Sequence, residues 1–427
     1  MCEDFESLSG PKLKFKRVQL ENGLVVLISE NPHLPLVTVN SYILAGADQN
    51  PPGKAGLAEL TSRLLDEGSQ TRSGEQISEL IEGEGAQVSI FSHRELSGVS
   101  YQSGSDSLET GLEILHQLLA GPIFPQSSFD REKARLLNDL EALEDEPSSL
   151  AGKIFNRHIY QGSPLQDPIL GTRRSVPSLT RQDVESFHRR CYAPTGAVLC
   201  VVGDVDASRV EQAVSERFAQ WCNPGFERHQ IKLPQRQSKP LLDERPIDCE
   251  QAQIVLGHLG ITRFHPDYHA LQVLDMVLGS GPGFTSRIPR VLRDELGLAY
   301  LTYSNITASA GLYPGRFISF ISTSPANRHQ ALSRLVAEIR QVIEGRFSDE
   351  ELRTAQDFLT GNFVFDFESN YNVARFLLSA ELFGLGLDYP RRFPERIRSV
   401  TRDEVVRVAS EHLDPVNCTT VVVGPQG

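Results

Sequence analysis

The chain has 427 residues, of which 40% are hydrophobic and 23% charged, and a formal net charge of −13. That length exceeds one ordinary core and suits two or more domains, and the composition is that of a soluble globular protein. The acidic balance argues against nucleic-acid binding, which needs a basic stripe; no stretch approaches the roughly 18 apolar residues of a membrane span.

The opening MCEDFESLSGPKLKFKRVQL holds no apolar leader core, so a cytoplasmic location is expected. LENGLVVLISEN (20–31) pairs an Asn-Gly turn with an apolar strand, and LPLVTVNSYILAG (34–46) reads as a second strand. GKAGLAELTSRLLDE (53–67) is helical in pattern. A short helix over 74–82 follows, then strand material over 86–101 broken near His93. In DSLETGLEILHQLL (106–119), Leu108, Leu112, Leu115 and Leu119 form one helical stripe. REKARLLNDLEALEDEP (131–147) is another helix, with Glu132, Glu141, Glu144, Asp145 and Glu146 read as solvated.

Residues 179–203, LTRQDVESFHRRCYAPTGAVLCVVG, recur in divergent form as VTRDEVVRVASEHLDPVNCTTVVVG at 400–424. Thr-Arg, Val184/Val405, Pro194/Pro415 and a closing Val-Val-Gly stay in register at an offset of 221. In each copy a threonine caps a helix, with Asp183 or Glu404 in its first turn. The helix stops before a proline, and an apolar β-branched run makes a buried strand. Two such endings predict a duplicated domain: 1–222, a connector at 223–240 rich in Pro, Gln and charge, and 241–427. The class is α+β, two tandem halves, each a mostly antiparallel sheet covered by helices. The second half runs IDCEQAQIVLGHL (247–259), a helix from about 267, and ISFISTS (318–324). Cys2, Cys191, Cys200, Cys222, Cys249 and Cys418 form no C-x-x-C pair and are expected to be reduced.

Three features of the second half could carry chemistry. His265 and His269 lie four apart in HPDYH, but Pro266 interrupts them and no flanking Cys or Asp/Glu set completes a site, so a metal-free helix start is expected. Gly279-Ser280-Gly281-Pro282-Gly283 lacks the Gly-Lys-Ser/Thr of a phosphate loop and reads as a helix stop. Arg293 ends a helix, Gly297 breaks it and Tyr300 starts a strand, a turn able to bring a guanidinium and a phenol to one surface. On the residues alone, Arg293 pairing with Asp294 or Glu295 over a half-buried Tyr300 is the alternative.

Taken together, these segments resemble the M16 (pitrilysin-like) zinc peptidases over about 15–425. The resemblance rests on Leu278-Gly279-Ser280, Ser286-Arg287 and Arg293-Asp294-Glu295-Leu296-Gly297-Leu298-Ala299-Tyr300 in the second half, and on residues 53–67 and 131–147 in the first. The family's inverted zinc motif, His-x-x-Glu-His, falls on Gly56, Glu59 and Leu60, and its third ligand, a glutamate, on Asp139. Glycine and leucine offer zinc nothing. The resemblance implies a chain with no catalytic residue, metal ligand or cofactor of its own. It would be the substrate-binding subunit of a heterodimer whose partner carries His-x-x-Glu-His and zinc. Arg293 and Tyr300 would hold an unfolded peptide; in the family's non-catalytic subunits a glycine-rich loop in this region can touch the peptide, but here the segment is short. Without a metal-bound water, Glu59 has nothing to activate. Two rivals stay open: an inactive scaffold of the same fold, and a stand-alone hydrolase with an unusual metal site. A homodimer of the isolated chain is a further possibility.

Overall fold

The first sheet follows from the short apolar runs of the N-terminal half. Its strands are β1 (Lys16–Gln19), β2 (Val25–Glu30), β3 (Leu36–Ile43), β4 (Gln87–Ser92), β5 (Ser97–Gly104) and β6 (Ala197–Gly203), in the order β1-β2-β6-β3-β5-β4. The second comprises β7 (Leu241–Pro246), β8 (Ala252–Leu259), β9 (Leu301–Asn305), β10 (Arg316–Thr323) and β11 (Thr419–Gly424), in the order β7-β11-β8-β10-β9. These are features of a computed structural model that describes residues 13–425 apart from 224, 225, 227, 282–284 and 387.

The internal repeat has a direct structural meaning. β6 runs parallel to β2 and antiparallel to β3; β11 runs parallel to β7 and antiparallel to β8. The last strand of each copy therefore enters the middle of its sheet, where both faces are covered. This accounts for the unbroken apolar runs AVLCVVG and TTVVVG. The two sheets are tandem α+β halves, as the sequence implies.

The helices are α1 (Leu57–Arg63), α2 (Gly74–Gly83), α3 (Leu108–Ala120), α4 (Gln126–Glu144), α5 (Pro147–Ile159), α6 (Arg181–Cys191) and α7 (Ala207–Phe218) in the first half. The second half holds α8 (Tyr268–Asp275), α9 (Arg287–Pro289), α10 (Arg328–Ile343), α11 (Asp349–Asn362), α12 (Asn370–Leu382), α13 (Tyr389–Ser399) and α14 (Arg402–His412). π-Helical turns extend α8 over Met276–Ser280 and α9 over Arg290–Glu295. Thr180 and Thr401 cap α6 and α14 by accepting from the amides of Asp183 and Glu404.

Two helices cross between halves. α5 lays Ala151, Phe155 and Ile159 against Val255, Ile318, Phe320, Val421 and Val423 of the second sheet. α12 lays Val373, Ala374, Leu377 and Leu378 against Leu27, Cys200 and Val202 of the first. Each half thus covers the outer face of the other's sheet. Polar contacts follow the same seam. Arg17 makes a forked pair with Glu381 at 2.7 and 3.0 Å, and His158 meets Asp243 at 2.8 Å. Buried Asp48 accepts from Arg228 at 2.8 Å and from the Tyr313 hydroxyl at 3.0 Å. The connector is pinned rather than loose: besides Arg228, the His229 amide donates to Gln49 and the Gln237 side chain donates to the Asn417 carbonyl.

Burial also sets a pH dependence. His188, His258 and His269 are each pushed down to about 4, first of all by desolvation. Asp275, buried at the end of α8 in the second half, accepts from the Ile306 and Thr307 amides; its burial pushes it the other way, up to about 7. For a depressed histidine the unfolded chain binds more protons, so its stability contribution is intact above about 6.5 and lost as pH falls towards about 4. Asp275 opposes this, being most favourable to the fold at low pH, as do the burial-raised carboxyls of Asp66, Glu95, Asp167 and Asp366, but the three large histidine shifts set the direction. The melting temperature is expected to drop on acidification from pH 7 to pH 4.5, with His188→Gln flattening the decline. A pH-independent melting temperature across that window would refute this account.

Candidate functional site

α1 starts at Gly56, whose φ of +93° is left-handed and suits glycine. A Cβ there would stand 2.9 Å from the Leu170 carbonyl oxygen and 3.1 Å from Val176 Cγ2. One turn on, Leu60 is fully buried in the first core with Leu57, Ala58 and Leu64. The outer face of α1 carries Glu59 and Arg63. The Arg63 guanidinium donates to Glu59 Oε1 at 2.7 Å and to Asp139 Oδ2 of α4 at 2.7 Å. Burial works against this charge, but the two carboxylates outweigh it and hold the Arg63 pKa above its ordinary value. A guanidinium therefore stands between the two carboxylates that the sequence analysis singled out.

This triad lines an open groove of about 580 Å3, together with Asp66, Glu67, Glu132 and the β4 residues Val88, Ile90 and Phe91. β4 is one of the two edge strands of the first sheet, so among the described residues its outer backbone groups have no neighbouring strand. Glu132 departs from the solvated reading: it is buried and paired with Arg131 and Arg135. Glu144 pairs with Lys153 and Arg173, and Glu146 caps α5 through the Ser148 and Ser149 amides.

In the second half, the chain from Arg293 to Tyr300 is a stapled turn. The Gly297 amide donates to the Arg293 carbonyl at 3.1 Å, with Gly297 at φ +60°. The Leu298 and Ala299 amides both reach the Leu292 carbonyl, and the Tyr300 amide donates to Ser322 at 2.8 Å. Arg293 and Tyr300 are both exposed, the tyrosine 62%, at the start of edge strand β9. Glu295 is engaged by Arg290 at 3.1 Å. Arg287, by contrast, is structural: it is buried and ties α9 to Glu338 and Glu351 of α10 and α11. Of the glycine segment, Pro282 and Gly283 lie outside the described residues.

Residues 25–173 match the sequence profile described as Insulinase (Peptidase family M16), and residues 178–359 match Peptidase M16 inactive domain. The chain belongs to the M16 peptidase family. It is 26% identical to an uncharacterized zinc protease of Streptomyces coelicolor over 409 residues, 93% of this chain and 87% of that protein. It is 23% identical to the uncharacterized zinc protease YmxG of Bacillus subtilis, over 83% of this chain and 85% of that one. Among solved structures, the peptidase M16 inactive domain from Pseudomonas fluorescens superposes with a TM-score of 0.91 at 25% identity, covering 97% of this chain and 98% of that one. A protease from Helicobacter pylori shares the fold, with a TM-score of 0.88 at 20% identity over 97% and 100% of the two chains.

One expectation is overturned. The sequence reading placed no cofactor site in this M16 chain, yet His265, Asp267 and His412 bring three ligand atoms within 4.8 Å of one another. The set thought missing around HPDYH is supplied by Asp267 between the two histidines and by His412 at the end of α14. His269 is not part of it: its ring turns inward to the Tyr389 hydroxyl at 3.2 Å. Proline and the helix start separate the two histidines, so their i,i+4 spacing does not make them converge. The Glu59–Arg63 contact also escaped the sequence reading, although acid and base at i,i+4 on one helix was a visible signal.

Proposed function

We propose that this chain is the non-catalytic, substrate-binding subunit of a heterodimeric M16 zinc peptidase, working with a partner that carries His-x-x-Glu-His. The observation that carries the reading is Arg63, whose guanidinium neutralises Glu59 and Asp139 beside a helix start that cannot house an imidazole. A cation placed there would face a like charge with no nitrogen ligand. The groove nevertheless persists, flanked by an edge strand to which an extended peptide can add by main-chain hydrogen bonds. Arg293 and Tyr300 are donors for a peptide carbonyl, or for the oxygen that gains charge during attack. We take the halves as 1–222 and 241–427 with the connector at 223–240, and the location as cytoplasmic. Among the described residues no helix is long and apolar enough to cross a membrane.

The test is reconstitution. The chain is mixed with an M16 partner of similar length bearing the intact motif, and hydrolysis of an unstructured peptide is measured for each component and for the mixture. Activity of the mixture is expected to exceed the sum of the parts by at least about tenfold, the scale of one charge-assisted contact at the transition state. A mixture no faster than the partner alone would leave the scaffold reading in its place.

A further inference from the structure

We infer that His265, Asp267 and His412 form a binding site for a divalent transition cation, with Zn2+ as the ion best suited to it, separate from the groove beside α1. Two imidazoles and a carboxylate are three protein ligands of the type zinc takes, leaving a fourth position for water. His412 Nε2 lies 2.8 Å and His265 Nδ1 3.8 Å from Asp267 Oδ2, and the two rings stand edge to face with centroids 4.9 Å apart. A tetrahedral ion with bonds of about 2.0–2.1 Å spaces its ligand atoms roughly 3.4 Å apart, so small side-chain movements admit one.

The behaviour of Asp267 is a second observation. It occupies the N-cap of α8, where an aspartate normally accepts from the helix amides, yet its side chain makes no capping bond. The carboxylate is instead divided between two tasks. Oδ2 faces the imidazoles, while Oδ1 accepts from Arg407 Nη2 at 2.7 Å. Arg407 Nη1 is in turn held by Glu411 at 2.8 Å and lies 3.4 Å from Oδ2. Arg407 holds Oδ1 closely and reaches Oδ2 only at 3.4 Å, which leaves Oδ2 turned to the two imidazoles, as an outer partner orients a metal-binding carboxylate. The Asp267 amide donates to His265 Nδ1 at 3.2 Å, and the ion displaces this contact and the His412–Asp267 hydrogen bond. All three residues are partly accessible, which gives the ion a path in. The bound ion would tie the start of α8 to the end of α14.

Full-length chain, stripped with chelator and dialysed, is titrated with Zn2+ alone, and with Co2+ for its absorption spectrum. One equivalent is expected. His265→Ala and His412→Ala should each weaken Zn2+ binding by more than about tenfold, since even groups that only support metal ligands cost about 10–100-fold. His329→Ala, at an exposed histidine outside the cluster, leaves binding unchanged. If a variant fails to fold, the unsubstituted chain decides: Zn2+ should move the imidazole resonances of His265 and His412 and leave those of His269 in place. Equal Zn2+ affinity in the parent and a folded His265→Ala/His412→Ala chain, or resonance changes confined to other histidines, overturns the site.

Discussion

Writing histidines at the two positions that the sequence resemblance assigns to the zinc motif, as Gly56→His with Leu60→His, is expected to unfold the chain rather than to create a peptidase, because Leu60 faces the core while Asp139 meets the Glu59–Arg63 pair on the opposite face of α1. At position 56 an L-residue must adopt φ +93°, a cost of roughly 1–2 kcal/mol, and its Cβ meets the Leu170 carbonyl oxygen at 2.9 Å. At position 60 the loss of leucine burial costs about 1.5–3 kcal/mol, and an imidazole left unpaired in that core adds about 1–3 kcal/mol. The sum, about 4–8 kcal/mol, is comparable to the whole stability of a typical domain. Even a folded double variant would leave Arg63 between Glu59 and Asp139, so Arg63→Ala would be a further requirement for a cation to enter. Urea unfolding and peptide hydrolysis by the double variant check this together. A variant as stable as its parent that hydrolyses peptide with zinc at residues 56 and 60 would refute it.

Much of the architecture was legible because it rests on local signals. The Thr180 and Thr401 caps, the prolines that end α6 and α14, and the β-branched runs after them act within a few residues, so the repeat could be read directly. β7 could not. LLDERP carries charge on an edge strand, with no apolar run to mark it; it is held by pairing with β11 from the far end of the half. The π-helical turns after α8 and α9 were equally silent, since a one-residue excess per turn leaves no pattern in so short a stretch.

Contacts between distant segments are a different matter, and there the sequence alone falls short. His412 lies 145 positions from Asp267, and Asp48 lies 180 from Arg228. Nothing in either local stretch announces the other. The exchange of α5 and α12 is similarly invisible, because an amphipathic helix shows that it has an apolar face but not which sheet covers it. That exchange also bears on the duplicated domain. Each half, cut away, would expose the outer face of its sheet, so the two copies are joint parts of one fold.

Arg293→Ala in the assembled enzyme is expected to lower kcat/KM by about 10- to 150-fold, the span of a charge-assisted hydrogen bond worth roughly 1.5–3 kcal/mol. The melting temperature should stay close to that of the parent, because Arg293 is exposed and the turn around it is held by backbone bonds from Gly297, Leu298, Ala299 and Tyr300. Tyr300→Phe removes one neutral donor and keeps the ring, so its loss should be smaller. Arg287→Ala supplies the contrast. Removing that buried guanidinium takes one partner from Glu338, which keeps Arg334, and one from Glu351, which keeps Arg290, and should cost stability first, by about 1.5–3 kcal/mol. If Arg293 served the fold as Arg287 does, its alanine variant would melt early and keep its turnover at temperatures where it remains folded. The paired measurement of melting temperature and kcat/KM separates the two roles, and normal turnover in a well-folded Arg293→Ala chain would remove this residue from the substrate site.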